Sequence, residues 1–136
     1  MDSCIHIKEK MFGVPLRVFI GAREAVDDYT AKRYKISEKT VAACAGKSML
    51  ITFPDGKAEG FIWLPSIDIE KPSDLSVLSH ECNHITIDVL DRVGIPLTPD
   101  NQETLCYLQE YYFRESLKMI KQASEQTRIL AKEPSA

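Results

Sequence analysis

Two histidines and a glutamate carry the chemistry this sequence can do. His80-Glu81-Cys82-Asn83-His84 is an HExxH segment. On an α-helix, residues four apart lie one turn from each other, so His80 and His84 project from one face and can share a tetrahedral zinc ion. Glu81 stands about 100° round from His80, beside a metal and not on it. That is where a general base for a zinc-activated water belongs. The alternative is a helix whose histidines cap neighbours or lie half exposed. Helical angles weigh against it. His80, Glu81, His84 and Asp88 share one stripe with Val77, while Leu75, Leu78, Ile85, Ile87, Val89 and Leu90 occupy most of the remaining circumference. Such a helix reads as buried. Four ionisable groups on a buried stripe need compensation, which a metal supplies.

A catalytic zinc takes three protein ligands and keeps a fourth position for water. No histidine follows His84, and the positions where a metzincin carries glycine and histidine are Ile87 and Leu90. His6 is far upstream. A carboxylate is the expected third ligand, and Glu103 leads because it opens the helix that follows the motif helix and its loop. Asp88, Asp91, Glu110 and Cys106 are rivals, with Asp88 better placed to orient an imidazole. Asp100-Asn101-Gln102-Glu103 also has capping-box spacing, so Glu103 has a local role open to it. Cys82 points away from His80 into the apolar back of the helix and reads as packing.

The elements that must position these residues follow in a readable order. Val14 to Ile20 reads as a strand and Ala22 to Tyr34 as a short helix. Thr40 to Ala45 and Ser48 to Phe53 read as strands joined at Gly46-Lys47, with Cys44 a small core residue. Pro54-Asp55-Gly56-Lys57 is a turn, because proline fixes one φ and glycine supplies a positive one. Ala58 to Leu64 follows as another strand. These strands predict an antiparallel meander, with Val14 to Ile20 as its fourth member and Cys4 in a frayed terminus. From Pro65 the apolar period becomes about 3.6. Ser73 can cap a helix from about Asp74 to Val93, stopped by Gly94 and Pro96, and a last helix runs from Pro99 or Asn101 to Gln122. The expected fold is α+β: a small, mostly antiparallel sheet packed against the HExxH helix and a long C-terminal helix. One domain spans residues 1–123, with 124–136 a partly frayed tail.

The motif resembles the gluzincin group of zinc metallopeptidases, whose signature is HExxH, a turn and a glutamate ligand on the next helix. His80, Glu81, His84 and Glu103 match it, and the likeness covers about Ala58 to Tyr112. The layout is also similar to small zincin-like proteins encoded by bacteriophages, with Phe61-Ile62-Trp63-Leu64-Pro65 before the motif helix and Asp91-Arg92-Val93-Gly94-Ile95 after it. The resemblance implies Zn2+ as cofactor, a peptide or protein substrate, Glu81 as base and proton shuttle, and substrate binding along Ala58 to Leu64 as an edge strand. Trp63 or Phe61 would then line a pocket or belong to the core. The sequence departs from the group at Tyr107, where larger members often carry an aspartate, and in lacking a downstream histidine to stabilise an oxyanion. Tyr107 and Tyr111 are the side chains available for that role, though both also read as core and rim aromatics.

Composition sets the remaining limits. The chain has 136 residues, 44% apolar and 27% charged, which is ordinary globular material. With 17 basic against 20 acidic side chains and a net charge of -3, it lacks the footprint of a nucleic-acid binder. The longest uncharged stretches are about eight residues, far short of the roughly 20 that span a membrane. Met-Asp-Ser-Cys-Ile-His-Ile-Lys-Glu-Lys has no apolar run after its charges and does not read as a signal peptide. Cys4, Cys44, Cys82 and Cys106 form no CxxC pair, and the expectation is reduced thiols in a cytoplasm. The alternative to an enzyme is a binding module that keeps the metal for stability. Nothing in the sequence decides the oligomeric state.

Overall fold

The computed structural model describes residues 2–39 and 45–132. Its strands are β1 (Ser3–Ile7), β2 (Leu16–Ile20), β3 (Lys47–Thr52) and β4 (Ala58–Leu64), joined in one sheet in the order β1-β2-β4-β3. The outer pairings, β1 with β2 and β3 with β4, are antiparallel, while β2 and β4 run parallel. The sheet is therefore mixed, and the expected meander is corrected. A parallel pair needs a crossover, and helix α1 (Arg23–Tyr34) lies in the connection that provides it. The expected strand Thr40 to Ala45, its hairpin and the placement of Cys44 rest on residues 40–44, which lie outside the described residues.

β1 corrects a second expectation, since Cys4 belongs to a paired strand and not to a frayed end. Ile5 and Ile7 point into the core opposite Val18 and Leu16, and the alternate residues Cys4 and His6 face the other way. Between β1 and β2, the buried Glu9 carboxylate accepts the Phe12 and Val14 amides at 2.9 and 3.1 Å, so a charged loop residue replaces strand pairing. β2 starts at Leu16 and not at Val14, because the Val14 carbonyl accepts the Tyr112 hydroxyl at 2.7 Å.

β4 lies at the centre, and all seven of its residues are buried. Its alternation divides two cores. Ala58, Ile62 and Leu64 pack with Leu78, Ile85 and Tyr112 on one face, and Phe61 and Trp63 pack with Phe19, Val26 and Tyr29 on the other. α1 thus covers one face of the sheet. The other is covered by α2 (Pro72–Arg92) and α3 (Gln102–Lys132), the latter entered through a 3-10 turn at Pro99–Asn101. A Cβ on Gly60 would lie 3.0 Å from Ile85 Cγ2 and 3.2 Å from Leu16 Cδ1, so glycine there lets α2 press close to the sheet.

The motif helix begins earlier than expected, at Pro72 after Lys71, and Ser73 is not its cap. Proline suits the first turn because the amide it lacks would have no helical partner. The far end closes as the sequence suggests. Ile95 N–H donates to the Leu90 carbonyl at 2.9 Å and Gly94 N–H to that of Asp91 at 3.1 Å, with Gly94 at φ +80°. The Pro54–Lys57 turn also forms, with Gly56 at φ +89° and Phe53 N–H donating to Lys57 O at 2.8 Å. α3 continues past Gln122 to Lys132, because no breaker interrupts it before Pro134 and its Ile120, Ala123 and Thr127 still face Ile5 and Ile20 across a shared cavity. No described helix is long and apolar enough to cross a membrane.

Candidate metal centre

α2 presents three different surfaces. Leu78, Ile85 and Val89 face the sheet core, and Cys82 and Thr86 turn towards α3. The third surface is open: His80, Asn83, His84, Asp88 and Asp91 are exposed. This corrects the expectation of a helix buried all round. The apolar residues account for two neighbours, and no described element covers the histidine side. Of the four ionisable groups on the stripe, only Glu81 is buried, at 7% exposure.

The two imidazoles converge. His80 Nε2 and His84 Nε2 stand 3.1 Å apart, with ring centroids at 4.8 Å and planes at 77°. Two nitrogens each about 2.0–2.1 Å from one ion, at an angle near 100°, span that distance. The pair therefore fits two positions of a metal ion. Glu81 opens on the same ground. It lines a cavity of about 420 Å³ together with His80, Ser76, Val77, Ala45 and Gly46. Among the described residues its carboxylate has no hydrogen bond or ion pair. A second, more open groove of about 640 Å³ lies on the α3 side of His80, lined by Ser79, Asn83 and Gln109. Gln109 anchors that side by donating to the Ser79 carbonyl at 3.1 Å.

Glu103 is exposed in the first turn of α3. Among the described residues no group of three His, Cys, Asp or Glu side chains comes together to hold a metal, so its carboxylate is not joined to the histidine pair. Nor does it act as a cap, since its carboxylate accepts no hydrogen bond among the described residues. Asp88 and Cys106 are exposed and likewise outside any such cluster. His6 is removed from the site by topology: it lies on the α1 face of the sheet, opposite α2.

Other expected roles change with the topology. β4 is not an edge strand, because β2 and β3 flank it. Trp63 and Phe61 are core residues on the α1 face, with the indole N–H donating to Gly21 O at 2.9 Å. The strand at the sheet's edge beside α2 is β3. Tyr107 and Tyr111 line a different cavity with Glu9 and Met11, and the Tyr111 hydroxyl donates to Lys8 O, so neither faces His80. Cys82 is fully buried as expected, and burial pushes its thiol up to about 12. Sequence reasoning missed Gln109 and Gly46 as walls of the site. Gly46 carries a signal only in retrospect: a Cβ there would lie 3.1 Å from Val77 Cγ1, one turn before Glu81. The chain matches no protein-family model, no curated protein and no solved structure.

Proposed function

We propose that this chain is a zinc-dependent hydrolase, a minimal metallopeptidase in which His80 and His84 hold the metal and Glu81 is the general base. The observation that carries this reading is the convergence of two Nε2 atoms at 3.1 Å, with His80 sharing a cavity with Glu81, whose carboxylate has no partner among the described residues. When bound, zinc would supply Lewis acidity and lower the pKa of a water to about 7. Glu81, which shares a cavity with His80, would be the base that accepts a proton from the attacking water and returns it to the leaving amine. Glu103 is the proposed third ligand. Its side chain is exposed and has no partner among the described residues, so it keeps its rotamer freedom for that task.

An extended peptide suits the open face of α2. Among the described residues β3 is paired on one side only, by β4, so backbone pairing along β3 would lay a substrate beside His80. The proposed setting is a cytoplasm, in keeping with the free thiols of Cys4, Cys82 and Cys106. A second reading, a non-catalytic binding module with a vestigial metal site, is favoured by one observation: no third ligand stands at the histidine pair among the described residues. Cleavage of a peptide library separates the two. The hydrolase reading expects zinc-loaded protein to cut, chelation to abolish cutting, and added zinc to restore it. Metal bound without any cleavage supports the module instead.

A further inference from the structure

On the opposite face of the sheet, the Glu59 carboxylate is 4% exposed and accepts four hydrogen bonds. Arg17 Nε donates to Oε1 at 3.0 Å, Arg33 donates through Nε and a terminal nitrogen at 3.0 and 2.9 Å, and the Tyr34 hydroxyl donates to Oε2 at 2.5 Å. A carboxylate offers about four acceptor positions, so Glu59 is saturated. It neutralises one of two guanidinium charges. Both terminal nitrogens of Arg17 and one of Arg33 have no partner among the described residues. The side chains of Arg17 and Arg33 are 23% and 33% exposed, so these donors reach solvent. His6 is the cross-strand partner of Arg17 and is itself exposed.

We infer that Arg17, Arg33 and His6 form a binding site for a compact dianion, inorganic phosphate or the phosphate group of a small monoester. Guanidinium forks match phosphate oxygens, and here two of them are held side by side by a carboxylate that can accept nothing further. One positive charge is left over while His6 is neutral, and two when it is protonated. A dianion matches the second state, so its binding draws a proton onto His6. A monocarboxylate, with a single charge, would do so less. The groups acting on His6 are Arg17 from β2, Glu59 from β4, Arg33 from α1 and Lys8 from its own segment; only Glu59 is acidic. Burial and then the Arg17 charge hold the imidazole below its ordinary value, a deficit that a bound anion would reverse.

The test is an NMR titration of the three imidazoles of the chelator-treated chain in phosphate, sulfate, acetate and chloride at one ionic strength. Phosphate and sulfate are expected to raise the His6 midpoint by about half a pH unit or more over chloride, acetate to raise it distinctly less, and His80 and His84 not to follow. Arg17→Gln is expected to remove the phosphate effect, and Arg17→Lys, which keeps the charge without the fork, to reduce it. Equal His6 midpoints in phosphate and chloride overturn the inference, as does an equal rise in acetate. The wild-type titration decides this without relying on any variant.

Discussion

On the proposed hydrolase reading, Glu81→Gln is expected to remove most peptide cleavage and to leave the metal in place. General-base catalysis contributes about 10²–10⁴-fold in rate, so kcat is expected to fall by at least that much. Glutamine keeps the shape of the side chain but cannot take a proton at neutral pH. A residue that only supported the fold would behave differently. Glu81 makes no hydrogen bond or ion pair among the described residues, so the fold does not depend on its charge. The same substitution is therefore expected to hold the midpoint of urea unfolding while turnover is lost. The paired readout is cleavage rate and urea midpoint on the same preparations. A parallel loss of both would place Glu81 among structural residues.

Glu59→Ala produces the largest expected loss of stability. The carboxylate ties α1 to β2 and β4 through Arg33, Tyr34 and Arg17. Removing it leaves two guanidinium groups beside each other and a half-buried tyrosine hydroxyl without its acceptor. Breaking a buried ion pair costs 3–5 kcal/mol, and since both arginines are partly wet the lower end, about 3 kcal/mol, applies. That is a large share of the 5–15 kcal/mol typical of a domain. The pH dependence has a definite sign. Burial alone would raise the Glu59 carboxyl, but hydrogen bonds from Arg33, Tyr34 and Arg17 outweigh it and hold it below its ordinary 4.5. A depressed carboxyl stabilises the fold fully above the unfolded-state value, and its contribution disappears as pH falls through the folded-state value. Urea midpoints should therefore separate wild type from Glu59→Ala at pH 7 and converge in acid below 4.5.

What the sequence made legible was local. The far end of α2 was written in Gly94 and its body in a 3.6-residue period, and the β3–β4 turn in Pro54 and Gly56, whereas the start of α2 at Pro72 lies ahead of the expected Asp74. Parallel pairing of β2 with β4 was not legible, because side-chain alternation is the same in both pairing directions and only the crossover distinguishes them. β1 escaped notice because Ser3-Cys4-Ile5-His6-Ile7 places only two apolar residues next to a run of charges. Its burial depends on a partner strand and on α3. The chemistry divides in the same way. His80 and His84 meet because they are one helical turn apart, and that spacing is visible in the sequence. Which side of α2 stays open is decided by where β4 and α3 pack. The Glu59 cage joins β2, β4 and α1 across up to 42 positions of sequence, and no local pattern announces it.

The central claim is that His80 and His84 form a metal site. The measurement that tests it most directly is zinc content per chain, on protein purified without a histidine tag and equilibrated with the metal. Wild type is compared with His80→Ala, His84→Ala, Glu103→Ala and Glu81→Gln. About one zinc per chain is expected in wild type and Glu81→Gln, and none after loss of either histidine, with Glu103→Ala following the histidine variants if Glu103 is the third ligand. Wild type that takes up no zinc, or His80→Ala and His84→Ala that retain it, would contradict the account.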